Sequence, residues 1–387
     1  MEKIYLDYSA TTYVDEEVVK AMMPYFNRYP GNPSGVYSSG REAKAVVENC
    51  RQLVADCLGA KNKNEVYFTS CGTESDNWAL KGYAWANRDK GKHIITTNSE
   101  HHAIKDTCGF LEKNGFDVTY VSVDEYGMVS VEDIKKAIRD DTILISIIFA
   151  NNEVGTINPI AEIGALAKEK GIVFHTDAVQ AAGHIHINVE EMNIDMLSMS
   201  GHKFYAPKGI GALYVRNGIK LEKLIHGGAQ ERNRRSGTEN VPYIVGMSKA
   251  LDMACKRIDE ETKTLTELRD YMIERIEKAI PFAKLNGHRT KRLPGHVNVS
   301  LEYIESEASL LSLDLAGIEC SSGSACASGS FEPSYVLTAM GLRPEVARGA
   351  LRFTMGRTTT KEQIDTVVDE LVKIVDRLNK ISPLYKG

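Results

Sequence analysis

The feature of this chain that most constrains its fold is a regular alternation of short apolar runs with helical patterns from residue 65 to residue 216. The apolar runs predict buried strands, and the segments between them, residues 74–87, 130–138 and 160–170, predict helices. This alternation implies βαβ crossovers, which build an α/β fold with a mostly parallel sheet and helices packed on its faces. The predicted strands are residues 66–70, 93–97, 118–123, 143–150, 172–177, 196–199 and 211–215.

The pattern changes near residue 260, which predicts a second domain. A long helical stretch, residues 243–280, leads into a further region of mixed strand and helix patterns that ends in a charged helix at 360–378. A chain of 387 residues with 43% apolar content is long enough for one large core and a second, smaller one. We therefore predict a large domain over residues 13–259 and a smaller α+β domain formed by residues 1–12 and 260–387.

Composition excludes several classes of protein. The formal net charge of −5 gives no electrostatic reason to bind nucleic acid, and the longest uncharged apolar run, residues 142–150, is too short to span a membrane. Seven cysteines without a CxxC pair argue against a disulfide framework or a zinc ribbon, so we expect free thiols in a cytoplasmic protein. His184 and His186 share a strand face, but no carboxylate or cysteine lies at ligand spacing around them, so no resident metal is predicted.

Two segments carry groups that point to a cofactor. Lys203 ends the run Ser200-Gly201-His202-Lys203, which follows a predicted strand directly and precedes a Pro/Gly-rich stretch, so it is fixed at a turn. Beside His202 and with little water around it, its amine could lose a proton near neutral pH, as an imine-forming lysine must. Asp177 ends a buried strand, at the edge where open α/β sheets bind ligands. A lysine and an aspartate in these roles are what pyridoxal 5′-phosphate (PLP) chemistry requires of a protein.

Four further positions each have a functional and a structural interpretation. Gly72-Thr73, at a strand-to-helix turn, suits a phosphate, or it is an ordinary helix cap. His101 follows a strand at the same edge and could stack on a planar cofactor or be structural. Arg352, in an apolar strand pattern, would pair with a substrate carboxylate or with a structural acid. Cys326, within a stretch of small residues, is a candidate nucleophile or an adventitious surface thiol.

Taken together, these segments closely resemble the NifS/IscS-type cysteine desulfurases, within the class V aminotransferase family of fold type I PLP enzymes. The resemblance runs nearly end to end, although Cys71 stands where relatives usually have a glycine. The motifs that carry it are YLDYSATT at 5–12, GNPS at 31–34, GTESDN at 72–77, EH at 100–101, NNEVG at 151–155, HTD at 175–177, SGHK at 200–203, RSGT at 235–238 and SSGSAC at 321–326.

The resemblance implies a PLP enzyme and assigns a role to each matching residue. Lys203 would hold PLP covalently and later move the Cα proton, Asp177 would keep the pyridine nitrogen protonated, and His101 would stack on the ring and assist proton transfer. Gln180 would hydrogen-bond the ring hydroxyl, and Thr238 would reach the phosphate from the other subunit of a homodimer. The remaining residues implied around the phosphate are Gly72, Thr73, Ser200 and His202.

The implied reaction converts L-cysteine to L-alanine and transfers its sulfur to the protein. Arg352 and Asn152 would bind the substrate carboxylate, and the Cys326 thiolate would attack the substrate sulfur and keep it as a persulfide. An iron–sulfur scaffold protein or another acceptor would then take the sulfur from the Cys326 segment, for clusters or for thiolated tRNA or cofactors. The only metal contact expected is transient cluster ligation by Cys326.

Two other functions stay open at the level of the sequence. The chain could be a different class V PLP enzyme, such as an aminotransferase or a selenocysteine lyase, with Cys326 incidental. It could also be a sulfur-relay protein with weak catalysis of its own. Turnover with a keto acid, turnover confined to selenocysteine, or activity that requires an added acceptor would separate these alternatives.

Overall fold

The computed structural model describes residues 3–322 and 333–380 of the protein, so the predicted nucleophile Cys326 lies outside the described residues. The strands are β1 (Ile4–Tyr5), β2 (Val66–Thr69), β3 (His93–Thr97), β4 (Asp117–Val121), β5 (Thr142–Ser146), β6 (Val173–Asp177), β7 (Met196–Ser200), β8 (Gly211–Val215), β9 (Ala283–Leu285), β10 (His296–Leu301), β11 (Ile318–Glu319) and β12 (Ala350–Thr354).

The helices differ widely in length, and within the described residues none is long and apolar enough to cross a membrane. A π-helical turn, Trp78–Gly82, joins α4 to α5, and short 3-10 turns cover Lys63–Glu65 and Gly201–Lys203. The helices are α1 (Glu16–Met22), α2 (Pro24–Asn27), α3 (Ser38–Leu58), α4 (Gly72–Asn77), α5 (Tyr83–Ala86), α6 (His102–Lys113), α7 (Val131–Ala137), α8 (Ile160–Lys170), α9 (Gln230–Asn233), α10 (Val241–Cys255), α11 (Ile258–Ala279), α12 (Ser306–Leu315), α13 (Tyr335–Ala339), α14 (Pro344–Ala347) and α15 (Lys361–Asn379).

The central sheet has seven strands in the order β2-β8-β7-β6-β5-β3-β4. Neighbouring strands from β7 to β4 run parallel, whereas β8 is antiparallel to both β7 and β2. The predicted mostly parallel α/β sheet is therefore confirmed, with every predicted strand present, although the strand predicted over 143–150 ends at Ser146. Parallel pairing places the C-terminal ends of β6 and β7 side by side, with Asp177 opposite Ser198.

Two helices predicted as continuous are interrupted in the structure. The helix predicted over 74–87 is interrupted by the π-helical turn, where the buried Trp78 donates its indole N–H to the carbonyl oxygen of Glu222 at 2.9 Å. The helix predicted over 243–280 is two helices, α10 and α11, because Arg257 N–H bonds to a carbonyl only three residues earlier and ends the α-helical pattern.

A second region of the chain has its own sheet and its own hydrophobic core. The antiparallel strands β12-β10-β9 pack against α11 and α15 around a cluster that also contains Leu6. Strand β1 pairs in parallel with β11, so the start of the chain joins this region. This pairing supports the assignment of residues 1–12 to the smaller domain, and the boundaries 13–259 and 260–387 stay a prediction.

Candidate active site

The C-terminal ends of β6 and β7 and the N-terminal ends of α4 and α6 meet around a cavity of about 370 Å³. This is the sheet edge at which parallel α/β folds bind ligands. Thr238 lies outside its lining, at an exposed position. Most of the predicted site residues do line it: Gly72, Thr73, His101, Asn152, Asp177, Gln180, Ser200, His202, Lys203 and Arg352.

Lys203 ends the 3-10 turn that follows β7, so a short connection fixes it at the cavity. Its Nζ donates to the main-chain oxygens of Ser9, at 2.5 Å, and Ala10, at 2.9 Å. His184 holds the turn from behind, because its Nε2–H donates to the Lys203 carbonyl oxygen at 2.9 Å. Burial and the charge of Lys203 lower the pKa of His202 to about 4, so that imidazole is neutral near pH 7. Lys203 therefore lies at a turn beside His202, as predicted, and that histidine is neutral.

Asp177 is the last residue of β6 and is buried at the cavity. One carboxylate oxygen accepts the N–H of Val179 at 2.9 Å. Burial raises the pKa of Asp177, while the nearby His101 and Lys203 act in the opposite direction. A cationic group bound next to this carboxylate would offset its desolvation, so Asp177 suits the protonated pyridine nitrogen of PLP.

His101 presents a neutral aromatic ring to the cavity. It caps α6, with its Nδ1 accepting the N–H of Ala103 at 3.1 Å, and this bond orients the ring. Burial lowers the pKa of His101, so the ring is neutral near pH 7 and carries its proton on Nε2. A flat ring in this state suits stacking on a planar cofactor.

The turn from β2 into α4 allows an anion to approach the backbone closely. A Cβ added at Gly72 would lie 2.6 Å from Val179 Cγ2 and 3.4 Å from Ser200 Cβ, so a larger residue requires its neighbours to move. Cys71 caps the helix through its thiol, so the alternative that Thr73 is an ordinary cap is wrong. Thr73 and Ser200 both line the cavity here, where N–H groups and hydroxyls at a helix start favour an anion such as phosphate.

Arg352 on β12 forms the ion pair of its structural interpretation, and its role toward a substrate carboxylate stays a prediction. Its Nη2 lies 2.8 Å from Asp7 Oδ1, which is the structural ion pair, and its Nη1 donates to the main-chain oxygen of Asn152 at 3.0 Å. Within the described residues, Arg352 Nε and Asn152 Oδ1 are buried without a hydrogen-bond partner. Both residues line the cavity, so one guanidinium N–H of Arg352 remains as a donor for a substrate carboxylate.

Three buried carboxyl groups around the cavity were not predicted from the sequence. Asp76 lies beside Asp177, and burial followed by the charge of Asp177 raises its pKa. Burial raises the pKa of Glu100 to about 8, although this carboxyl accepts two hydrogen bonds. Burial also raises the pKa of Glu153 to about 7, and Ser334 Oγ donates to it at 2.5 Å. Acidic residues are normally predicted to be solvent-exposed. The one signal in the sequence that could have identified these three is that each lies inside a motif of the family resemblance.

We expect the Glu100→Gln variant to gain stability relative to wild type as the pH rises from 5 to 8. The folded-state pKa of Glu100, about 8, is above its unfolded value of about 4.3. The folded state of wild type therefore binds the Glu100 proton more tightly than the unfolded state does. The stability that this proton provides is lost as the pH rises from the unfolded pKa to the folded pKa, and glutamine has no such proton to lose. The measurement is the thermal midpoint of both proteins against pH.

The matched control for this prediction is Glu162→Gln, at an exposed position in the first turn of α8. It should leave the pH profile of wild type unchanged. A difference between Glu100→Gln and wild type that stays constant from pH 5 to pH 8 would contradict the prediction.

The groups around the cavity match those of PLP one by one. Lys203 offers the amine, Asp177 the partner for the pyridine nitrogen, His101 the stacking surface, Gly72 the close approach for the phosphate, and Gln180 lines the same cavity. Among residues 3–322 and 333–380, no three His, Cys, Asp or Glu side chains are grouped to hold a metal ion. The cavity groups named above are what make the site suitable for an organic phosphate cofactor.

The model of the aminotransferase class-V family matches residues 4–367, and the chain belongs to that family. Cysteine desulfurase IscS of Methanosarcina thermophila is 58% identical to it, over 98% of this chain and 94% of that protein. A solved structure described as a NifS-like protein superposes with a TM-score of 0.91 at 36% identity, over 97% of this chain and 100% of that one. The structure described as SspA in complex with cysteine gives a TM-score of 0.80 at 38% identity, over 91% and 98%. The predicted resemblance to NifS/IscS-type enzymes and the fold class are confirmed.

Proposed function

We propose that this chain is a PLP-dependent L-cysteine desulfurase that converts L-cysteine to L-alanine and holds the sulfur as a persulfide on Cys326. The observation that carries the proposal is the convergence of Lys203, Asp177 and Arg352 on one cavity. The high identity to a protein named cysteine desulfurase selects this reaction from those that class V enzymes perform.

The cofactor would activate the substrate, and the cavity residues would hold the cofactor and move protons. When bound, PLP draws electrons from the Cα of an amino acid and so makes the bonds at that carbon easier to break. Asp177 stabilises the positive charge on the pyridine nitrogen. Lys203, placed by the Ser9 and Ala10 carbonyls, attaches the cofactor and then moves the proton at the substrate Cα. His101 is neutral and carries its proton on Nε2. It would donate this Nε2 proton to a substrate atom.

Arg352 and Asn152 would fix the substrate through its carboxylate. Arg352 is already committed to Asp7 through Nη2, so the guanidinium cannot swing out of the cavity, and its Nε–H remains for the incoming anion. A charge-assisted hydrogen bond in a buried site is strong and directional. The related structure described as SspA in complex with cysteine supports cysteine as the amino acid that is bound.

The sulfur-transfer step would use Cys326 as nucleophile. Its thiolate attacks the sulfur of L-cysteine, an S–S bond forms, the Cβ–S bond breaks, and its electron pair passes to Cβ, which takes a proton. Alanine leaves, and the sulfane sulfur stays on Cys326 as a persulfide. An iron–sulfur scaffold protein or another acceptor then takes it, and transient cluster contact through Cys326 belongs to this same proposal.

The active form would be a homodimer in the cytoplasm. Thr238 is exposed and outside the lining of the cavity of its own subunit, as a residue that serves the partner's phosphate site would be. The six described cysteines are all free, which suits a reducing compartment. Large apolar side chains are also exposed along one N-terminal stretch, as at a subunit contact: Tyr13, Phe26, Tyr29, Val36 and Tyr37.

The test compares wild type with Cys326→Ala, both loaded with PLP, by quantifying alanine and sulfide released from L-cysteine under reducing conditions. Equal yields from wild type and loss of both products in the variant are expected. Cys71→Ser is the matched control, because it removes a thiol that lines the cavity and is not the proposed nucleophile, while serine keeps a side-chain cap for α4. Full sulfide release by Cys326→Ala, or turnover confined to selenocysteine or keto-acid pairs, would contradict the proposal.

A further inference from the structure

Two cysteines far apart in the sequence meet at the ends of two packed helices. Cys57 lies in the last turn of α3 and Cys255 is the last residue of α10, and both thiol-bearing residues line one small cavity between these helix ends. Both are free and only partly buried. They line a cavity of about 50 Å³ that also contacts His186 and Ile258, well away from the residues of the candidate active site.

The surrounding structure keeps the two thiols together. Helices α3 and α10 pack along each other, with Leu58 and Leu251 in the core beside the pair. Gly59 ends α3 in the left-handed conformation, with φ +65, and its N–H bonds back to the helix. The two fixed helix ends therefore hold both cysteines at one small cavity.

The two thiols differ in their electrostatics, as the partners in a thiol–disulfide couple do. The contact with Cys57 lowers the pKa of Cys255, whereas the same contact, together with burial, raises the pKa of Cys57. Asp252 opposes ionisation at both positions, and it is itself paired with Lys256 at 2.8 Å. Ionisation of one thiol is therefore coupled to the protonated state of the other, so that one acts as the attacking thiolate and the other as the resolving thiol.

We propose that Cys57 and Cys255 are a redox modification site, which forms a reversible intramolecular disulfide on exposure to hydrogen peroxide. The thiolate of one cysteine attacks an oxygen of hydrogen peroxide, the O–O bond breaks, and a sulfenic acid forms with release of water. The second cysteine then attacks that sulfur, the S–OH bond breaks, and a second water leaves as the S–S bond forms. Two thiols are oxidised and one hydrogen peroxide is reduced to two waters.

The pair differs from the other described thiols in what surrounds each sulfur. Cys50 is buried in the main core, Cys108 is completely buried in a separate apolar cluster, and burial raises the pKa of Cys320 to about 12. Cys71 accepts a backbone N–H as the cap of α4. A disulfide requires its sulfurs to approach to roughly 2 Å, and Cys57 and Cys255 lie in final helical turns, where the backbone can adjust more easily than in the middle of a helix.

The disulfide would connect α3 to α10 across ~200 residues of chain, and cross-links that close long loops stabilise a fold chiefly by restricting its unfolded state. We therefore expect oxidation to raise the thermal midpoint by several degrees and reduction to reverse the shift.

The cross-link would lie beside Ala182 and Gly183, which follow Gln180 in the chain. It would restrict the motion of this segment without occupying the active-site cavity.

The experiment treats the full-length, PLP-loaded protein with hydrogen peroxide in slight excess, in wild type and in a Cys326→Ala background that removes the proposed active-site nucleophile. After alkylation, mass spectrometry of unreduced peptides should reveal a Cys57–Cys255 cross-link that dithiothreitol removes. The cross-link and the rise in thermal midpoint should both disappear in Cys255→Ser and, separately, in Cys57→Ser. Cys50→Ser is the matched control and should retain both.

Alkylation of both Cys57 and Cys255 after peroxide treatment would overturn the proposal, as would oxidation of either one to a sulfinic acid without a cross-link. Because the readout is a covalent bond and not turnover, the result is independent of the proposed desulfurase activity. A cross-link in a protein without desulfurase activity would support the redox site and contradict the proposed function. Desulfurase activity without a cross-link would support the proposed function and contradict the redox site.

Discussion

Replacing Lys203 with alanine is expected to lower alanine and sulfide release from L-cysteine on the order of 10³-fold or more, because the variant lacks both the attachment point for PLP and the group that moves the Cα proton. The amine is anchored by the Ser9 and Ala10 carbonyls, and no other lysine lines the cavity within the described residues. The measurements are product release and the absorption spectrum of bound PLP, which should lose the band of the covalently attached form.

Two further variants serve as controls. Lys203→Arg tests whether a positive charge is sufficient without a free amine, and Lys208→Ala tests whether loss of a nearby lysine has the same effect. Arginine keeps a cation near the same carbonyls but does not deprotonate in proteins, so it should be as inactive as alanine. Lys208 is exposed on the same connection and its replacement should leave turnover near wild type. Activity of Lys203→Ala within tenfold of wild type would contradict the assignment and with it the proposed chemistry.

The central sheet could be predicted from the sequence because strands buried on both faces appear as continuous apolar runs between polar turns. The ends of elements were harder to predict. The apolar run 143–150 continues beyond the end of β5 at Ser146. Nothing in the local sequence indicates where hydrogen bonding to the neighbouring strands stops, so this end could not be predicted. The π-helical turn at Trp78–Gly82 depends on a contact with Glu222, far along the chain, and its local pattern is that of an ordinary helix.

Candidate site residues at strand ends could also be predicted, because the carboxyl ends of neighbouring parallel strands meet at one edge. Their tertiary partners could not. Arg352 pairs with Asp7, and Lys203 meets the Ser9 carbonyl, through contacts that join opposite ends of the chain. No linear pattern specifies such a pairing. Cys57, which fits a helical apolar stripe in the sequence, likewise gives no sign of its contact with Cys255.

The buried ion pair between Arg51 and Glu231 supports an equally specific expectation. Arg51 Nη1 and Nη2 lie 2.7 and 2.8 Å from the two Glu231 carboxylate oxygens, and both side chains are 3% exposed. Glu231 also accepts the N–H of Phe68 at 3.0 Å, and Arg51 donates to the carbonyl oxygen of Val66 at 2.9 Å. Strand β2 lies at the edge of the sheet, so these side chains take the place of a neighbouring strand.

We expect Glu231→Gln to lower the free energy of unfolding by about 3–5 kcal/mol, because it leaves the Arg51 guanidinium buried without its counter-charge. Arg51→Met should cost a similar amount, and the double variant less than the sum of the two, because no isolated charge remains. Denaturant midpoints of the four proteins provide the measurement. Glu277→Gln is the control: its pair with Arg289 is also bidentate but exposed, and should contribute about 1 kcal/mol or less.

The same pair should influence cofactor binding, because Glu231 begins a strained connection. Glu231, Arg232 and Asn233 have φ values of +46, +56 and +63, a left-handed run that persists only where surrounding contacts enforce it. Beyond it, Arg235 pairs with both carboxylate oxygens of Glu74 in the first turn of α4, next to the proposed phosphate turn.

Release of the strained run should therefore weaken PLP binding in Glu231→Gln, with a fall in affinity on the order of tenfold, while Glu277→Gln retains wild-type affinity. Titration of the apo proteins with PLP, and in parallel with pyridoxal, measures this, and the loss should be larger for PLP because the displaced turn faces the phosphate. Equal losses for the two ligands would instead place the effect at the ring and contradict the link to α4. Unchanged PLP affinity alongside the expected loss of stability would restrict the Arg51–Glu231 pair to a role in folding.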